Sequence, residues 1–435
     1  MSNILKIAVR NLARFGRRTL LTSSLITLGI VGVLLFVAVS GSFKSIMIGQ
    51  FTDSMLGHLE VHRKGYVASI DSLPLNLNMP ATMVGKVEQV LGNMDAVEAY
   101  SERIKLGAMF SNFTETTSMR VNGVDPAKEI ATTPLLPGRL IGEKRAGPLL
   151  KSGEVLIPEV IARGMKVKVG DTVVLVATNR DGSVNGKTFT VGGVLQSVSG
   201  PSGKDGYITI DDARSLLRMK EAEASEIAIR LKNPAQLDTI DAQLSKELSA
   251  VAGGAGGGTG AGGGDKQPAA GKGGGAGGLE VHTWADLSPF SSIVRMIDLL
   301  AVFIKIMMVS IVLIAVMNVM VMAVYERIRE IGTISAIGTP PRRILSLFLT
   351  EGLLLGAGGA ALGTVISLVA IYALNIWKVS IHFGMQQDAI RLSPAVSATD
   401  IVTIAAMVIV MALLASLQPA WKASRMDPVT ALGHV

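Results

Sequence analysis

The 435-residue chain has no cysteine and only five histidines, which excludes disulfide frameworks, thiolate metal sites and cysteine nucleophiles. Charge is scarce too: 17% of residues are Asp, Glu, Lys or Arg, against about a quarter in an ordinary soluble domain. That scarcity, with 49% hydrophobic residues, argues against a wholly soluble or disordered chain. Aromatics make up 4%, and basic residues interleaved with aromatics are missing, which argues against a nucleic-acid partner. Lys and Arg still exceed Asp and Glu by 41 to 34, so the location of that excess matters.

What is present in quantity is uncharged apolar length. Between Arg18 and Lys44 lie 25 residues without a charge, enough at about 1.5 Å per residue to cross a hydrocarbon core of about 30 Å. Three further spans are predicted at residues 299–325, interrupted by Lys305, 344–377, interrupted by Glu351, and 401–421. The first is too long for a signal-peptide core and is taken as a retained anchor. Lys6, Arg10, Arg14, Arg17, Arg18, Arg327, Arg329, Arg342, Arg343, Lys422 and Arg425 flank the spans on one side, which the positive-inside rule makes cytoplasmic. The rest of the chain is close to neutral, so the basic excess reports orientation.

These features predict an α-helical membrane protein with four transmembrane helices and a large α+β periplasmic domain inserted between helices 1 and 2. Residues 1–18 form a cytoplasmic interfacial helix on membrane lipid, 19–43 helix 1, 44–298 the periplasmic domain, 299–325 helix 2, and 326–343 a cytoplasmic helix and loop. Residues 344–377 form helix 3, 378–400 a periplasmic loop, 401–421 helix 4 and 422–435 a cytoplasmic tail. Both termini are then cytoplasmic. Alternating runs predict strands near 58–62, 98–109, 118–124, 171–177, 188–194, 226–231 and 279–283, with helices near 82–91, 211–219 and 234–248. Residues 252–278 contain 15 glycines and are expected to be a flexible loop inserted in an αβ connection.

Soluble-enzyme chemistry is hard to find. Gly186-Lys187-Thr188 has Asp181 where a phosphate-binding loop needs glycine and is read as a turn. His58, Glu60 and His62 share one face of a strand; without a further firm ligand they are read as a surface face, not a metal site. No nucleophile elbow is present, so no catalytic, cofactor or metal residues are assigned.

The cytoplasmic face is richer. From Glu326 to Gly338, Ile328, Ile331, Ile334 and Ile337 recur every three residues while Arg327, Glu330 and Thr333 form another edge. The pattern predicts a short amphipathic helix ended by Gly338 and Pro340-Pro341, suited to a membrane surface or a protein groove. Gly352, Gly356, Gly359 and Gly363 make small-xxx-small pairs that permit close helix approach, within the chain or in a dimer.

The chain resembles the FtsX-like permease family, the membrane subunits of MacB- and LolC/LolE-type ABC transporters. The resemblance rests on Ala8-x-Arg10-Asn11-Leu12, the one-plus-three span layout, the Glu326 to Gly338 motif, Phe348-Leu349-x-Glu351-Gly352, and the ending from Pro419 to Leu432. It implies an ATPase-coupling role for Glu326, Arg327, Arg329, Glu330, Ile331, Gly332, Ile334, Ala336 and Gly338. It also implies a non-catalytic permease chain without bound cofactors, a separate cytoplasmic ABC ATPase that binds ATP and Mg, and a second permease chain in a homo- or heterodimer. The stretch from Gly57 to Tyr66 looks more like the LolC/LolE branch, which implies release of a lipoprotein or other amphiphile from a bacterial inner membrane. The alternatives are a mechanotransmitting permease controlling a periplasmic cell-wall hydrolase, a MacB-like efflux component, or a membrane scaffold or sensor. Each brings its own periplasmic adaptor, carrier or hydrolase.

Overall fold

A computed structural model describes residues 2–142, 147–197, 205–253, 278–288, 290–381 and 390–426. Most of the glycine-rich tract and the end of the predicted tail lie outside these residues. The chain divides into two compact units, one helical, the other built from Met47–Ser292.

In the helical unit, α1 (Ser2–Arg14) precedes α2 (Gly16–Phe51), and α9 (Ser291–Glu326), α10 (Ile328–Ala336), α11 (Pro341–Trp377) and α12 (Ala398–Ser424) follow the external domain in sequence. Among the described residues, four helices are long and apolar enough to cross a membrane. Each extends beyond the uncharged run that predicted it, because charge limits the part in hydrocarbon and does not end a helix. Thus α2 continues past Lys44, whose Nζ meets Asp298 Oδ2 of α9 at 2.7 Å.

Interior residues explain why these helices associate. Ile26, Ile30, Val316, Met320, Phe348, Val408 and Ala412 form one buried cluster. The glycines of α11 set its closest approaches. A Cβ at Gly352 or Gly356 would come within 2.6 Å of Ser416 or Ala412 in α12, and one at Gly359 or Gly363 within 2.5 or 2.8 Å of Ile26 or Ile30 in α2. Two glycines therefore serve α12 and two serve α2, all within one chain. Without a strong hydrophobic drive between helices in lipid, such backbone proximity supplies the packing.

The external unit contains α3 (Ala81–Gly92), α4 (Pro126–Thr132), α5 (Glu159–Gly164), α6 (Ile210–Leu216), α7 (Leu237–Gly253) and α8 (Trp284–Leu287). Its strands are β1 (Leu59–Arg63), β2 (Val97–Ser111), β3 (Thr116–Val124), β4 (Glu154–Pro158), β5 (Thr172–Thr178), β6 (Val184–Leu195), β7 (Asp205–Thr209), β8 (Glu226–Leu231) and β9 (Leu279–Thr283). Their order is β3-β7-β4-β6-β5-β2-β8-β1-β9, with β2 also pairing to β3. The long β2 thus closes a six-stranded ring with one half and carries β8, β1 and β9 on the other. Apolar residues such as Phe110, Val121, Leu175 and Phe189 form the core of the ring. Leu59, Val61 and Ile229 pack with α3 and α7 residues Val87 and Leu244 in a second core.

Two strands, β4 and β7, and three short helices, α4, α5 and α8, escape the pattern reading; both strands are short and largely buried, so their runs do not alternate. The residues read as a turn at Gly186-Lys187-Thr188 instead lie within β6, whose hairpin with β5 turns at Asn179–Ser183. Lys187 Nζ there contacts Asp212 Oδ1 at 2.8 Å.

Candidate functional site: the short helix between the second and third spans

The structure breaks the helix at Arg327, whose φ of −113° and ψ of 17° are not helical, and begins α10 at Ile328. At its far end the Thr339 N–H donates to Ile334 O and the Gly338 N–H to Ser335 O, while Gly338 has φ +94°. This two-bond closure needs a left-handed residue, hence the glycine. Pro341 then opens α11, whose first turn needs no proline N–H.

Ile328, Ile331 and Gly332 are buried, but Ile334 is 40% and Ile337 80% exposed. The expected single isoleucine face is therefore incorrect. A three-residue step covers about 300° of an α-helix, so the row slips about 60° each time and reaches the opposite side by Ile337. Arg329, Glu330, Thr333, Ala336 and Gly338 are exposed together with these two isoleucines; Glu326 is also exposed, at the end of α9. Beside α10 lies a cleft of 540 Å³ whose lining includes Ile4, Ile7, Ile331, Ile334, Arg343 and Phe348.

Glu351, the charge that interrupts the third predicted span, anchors this region. Its Oε1 accepts from Arg327 Nη1 at 2.9 Å and Asn11 Nδ2 at 2.7 Å. Arg327 Nε reaches Glu330 Oε2 at 3.1 Å, and its guanidinium lies 5.6 Å from the Phe348 ring centroid. Arg327 and Glu351 are both buried. Three motifs separated in sequence, around Asn11, Arg327 and Glu351, thus tie α1, α10 and α11 together. Sequence reading missed this function of Asn11 and Glu351; the available signal was a charge retained inside an apolar span.

The external domain contains a second polar cluster, also missed. His58, Glu60 and His62 are buried, contrary to the surface reading. Cross-strand register explains it: His62 pairs with Glu226 of β8, and Glu226 pairs with Arg103 of β2. His62 Nε2 is 3.3 Å from both Glu60 Oε2 and Glu226 Oε2. Glu226 also binds Arg103 at 3.1 Å and Lys105 at 2.7 Å, while Arg103 makes a fork with Glu129 at 2.7 and 3.1 Å. Glu60, His62 and Glu226 can present three ligand atoms within 4.8 Å of one another. Arg103 and Lys105 offset two of the three buried carboxylates, Glu60, Glu129 and Glu226, and a protonated His62 offsets the third. Burial opposes charge on His62, but Glu226 and Glu60 overcome it and raise its pKa above the ordinary range. Burial likewise opposes ionisation of Glu226, yet Lys105, His62 and Arg103 hold its carboxyl well below the usual range.

The sign of the His62 shift fixes a pH dependence. Its stabilisation is complete below about pH 6.5, the unfolded value, and disappears as pH rises through the higher folded value. His58 is shifted downward, chiefly by burial, and acts in the opposite sense. The urea midpoint of the external domain of the unmodified chain is therefore expected to decline toward alkaline pH relative to a His62→Gln variant. Parallel pH profiles would exclude the His62 contribution.

Four apolar spans, an α+β domain inserted between the first and second, and a clamped short helix between the second and third give the layout of a membrane permease. The chain belongs to the family of the MacB-like periplasmic core domain, whose model matches residues 19–247, and continues into a match to the FtsX-like permease C-terminal model over residues 302–428. It is 37% identical over 125 residues to the macrolide export ATP-binding/permease protein MacB of Syntrophobacter fumaroxidans, covering 28% of this chain and 15% of that protein. It is 40% identical over 119 residues to the pyoverdine export ATP-binding/permease protein PvdT of Pseudomonas syringae pv. tomato, covering 27% and 16%. The matched region is thus a small part of these curated relatives. Among solved structures, the periplasmic region of MacB from Actinobacillus actinomycetemcomitans aligns with a TM-score of 0.35 at 10% identity, covering 55% of this chain and 92% of that one.

Proposed function

We propose that this permease couples ATP hydrolysis by a separate cytoplasmic ABC ATPase to movement of its external domain, and so moves an amphiphile out of a bacterial inner membrane. The ATP and Mg belong to the partner; this chain supplies the mechanical connection. The observation carrying the reading is the Asn11–Glu351–Arg327 clamp, which joins the base of α10 to α1 and α11. A push on a helix held this way is passed to the spans instead of being absorbed by a loose loop. The exposed outer face of α10, with Arg329, Glu330, Ile334 and Ile337, is the docking surface, and both termini lie on the same cytoplasmic side. A second permease chain pairs around α2, whose groove with α11 is lined by Leu20, Leu28, Leu362 and Ile366.

The names of the relatives concern export of macrolide and pyoverdine, and this favours a small amphiphilic cargo. Lipoprotein release is the second reading, favoured by the Gly57 to Tyr66 resemblance. Reversing charge at Arg329→Glu together with Glu330→Lys is expected to reduce recovery of the ATPase with the permease by more than about tenfold, equivalent to about 1.4 kcal/mol. Undiminished recovery from membranes would refute docking through α10. Stimulation of the reconstituted ATPase by a small amphiphile, but not by a lipoprotein, would select the efflux reading.

A further inference from the structure

The external domain contains a cavity that ATPase coupling does not employ. Its volume is 180 Å³, and Phe51, Ile70, Leu106 and Phe290 contribute apolar walls. The Phe51 and Phe290 rings stack with centroids 4.2 Å apart. Its polar lining includes Glu60, Lys105, Arg120, Asn122 and Asp205.

Of the cations in this lining, Lys105 is engaged, its Nζ 2.7 Å from Glu226 Oε2, while Arg120 Nη2 lies 3.6 Å from the exposed Asp71. Two acceptors are not engaged. Glu60 Oε1 and Asp205 Oδ1 are buried without a hydrogen-bond partner among the described residues. Glu60 is 2% exposed, and the nearby Arg103 Nη1, at 3.6 Å from Oε1, is beyond hydrogen-bond length. Burial raises the pKa of Asp205 despite Lys105, Arg120 and an Asn122 hydrogen bond.

Buried acceptors need donors, and the two unpartnered atoms belong to carboxyl groups lining the same apolar cavity. We propose that this cavity binds a small organic ammonium compound, with N–H donors directed to Glu60 and Asp205 and its hydrocarbon body against Phe51 and Phe290. An ammonium offers three donors and no acceptor, which matches what is missing. An apolar cavity of about 150 Å³ accommodates benzene, so a single-ring or short-chain body fits this one. An anion would find Lys105 already engaged and would face both carboxyl groups.

The test uses the full chain in detergent micelles at neutral pH, with 2-phenylethylammonium as probe and 2-phenylethanol and phenylacetate as its neutral and anionic counterparts. No ATPase is present, so failure here leaves the coupling proposal untouched, and failure of coupling leaves this one untouched. Calorimetry is expected to show saturable one-to-one binding of the ammonium, at least about tenfold tighter than the alcohol, with no binding of phenylacetate. Asp205→Asn should weaken the ammonium at least about tenfold, and Ile70→Trp should abolish binding by filling the cavity. Equal binding of the alcohol, tighter binding of phenylacetate, or no saturable ammonium binding overturns the proposal. Should either variant unfold, the three-ligand comparison on the unmodified chain decides by itself.

Discussion

Replacing Arg103 with methionine is expected to cost about 3 to 5 kcal/mol of external-domain stability, because it removes one partner of a buried charge group and strands the others. Arg103 is the hub: Glu129 receives its fork, Glu226 a third hydrogen bond, and Glu60 a longer contact at 3.6 Å. All four residues are buried, and no solvent is at hand to replace the guanidinium. The measurement is urea unfolding followed by Trp284 fluorescence, with Trp377 and Trp421 changed to phenylalanine. A fall in the midpoint of more than about 1 M is expected. Adding Glu129→Gln to Arg103→Met should recover part of the loss, since it removes a charge left unpaired. If Arg103→Met behaves like a surface substitution, the network is not a structural unit.

Breaking the clamp between Arg327 and Glu351 is expected to have a similar effect on the helical unit. Among the described residues, Arg327→Met alone leaves Glu351 buried with Asn11 as its donor, and Glu351→Leu alone leaves Arg327 with Glu330 as its carboxylate. Each is expected to destabilise by about 3 to 5 kcal/mol, whereas the double variant should cost less than either single one, because both charges go together. Thermal unfolding of the four chains in one detergent forms the cycle. Additive losses would show that Arg327 and Glu351 do not act as a pair. The same variants should also reduce protection of the α10 amides from hydrogen exchange, since the helix loses its fixed base.

Much of this architecture is legible in sequence because each spanning helix must satisfy its backbone internally and tolerate few charges, so 25 uncharged residues after Arg18 have few other uses. Alternation at 98–109 and 118–124 identified β2 and β3 for an equally local reason: period-two patterning follows directly from the pleat. By contrast, β4 and β7 are short and largely buried and leave no alternation to read. The isoleucines of α10 gave a helix correctly but a wrong face, since a period of three is near 3.6 only over short distances.

Local pattern was enough for the four spans, the inserted α+β domain, the short helix between the second and third spans and the glycines that permit close approach. Tertiary structure alone decided which neighbour each glycine meets, and that Asn11, Arg327 and Glu351 converge although 340 positions separate the outer two. It also decided that His58, Glu60 and His62 face a protein interior. The division has a physical cause: hydropathy and turn chemistry act over one helix or strand, whereas the partner of a buried charge is set by strand register and helix packing among residues distant in the chain.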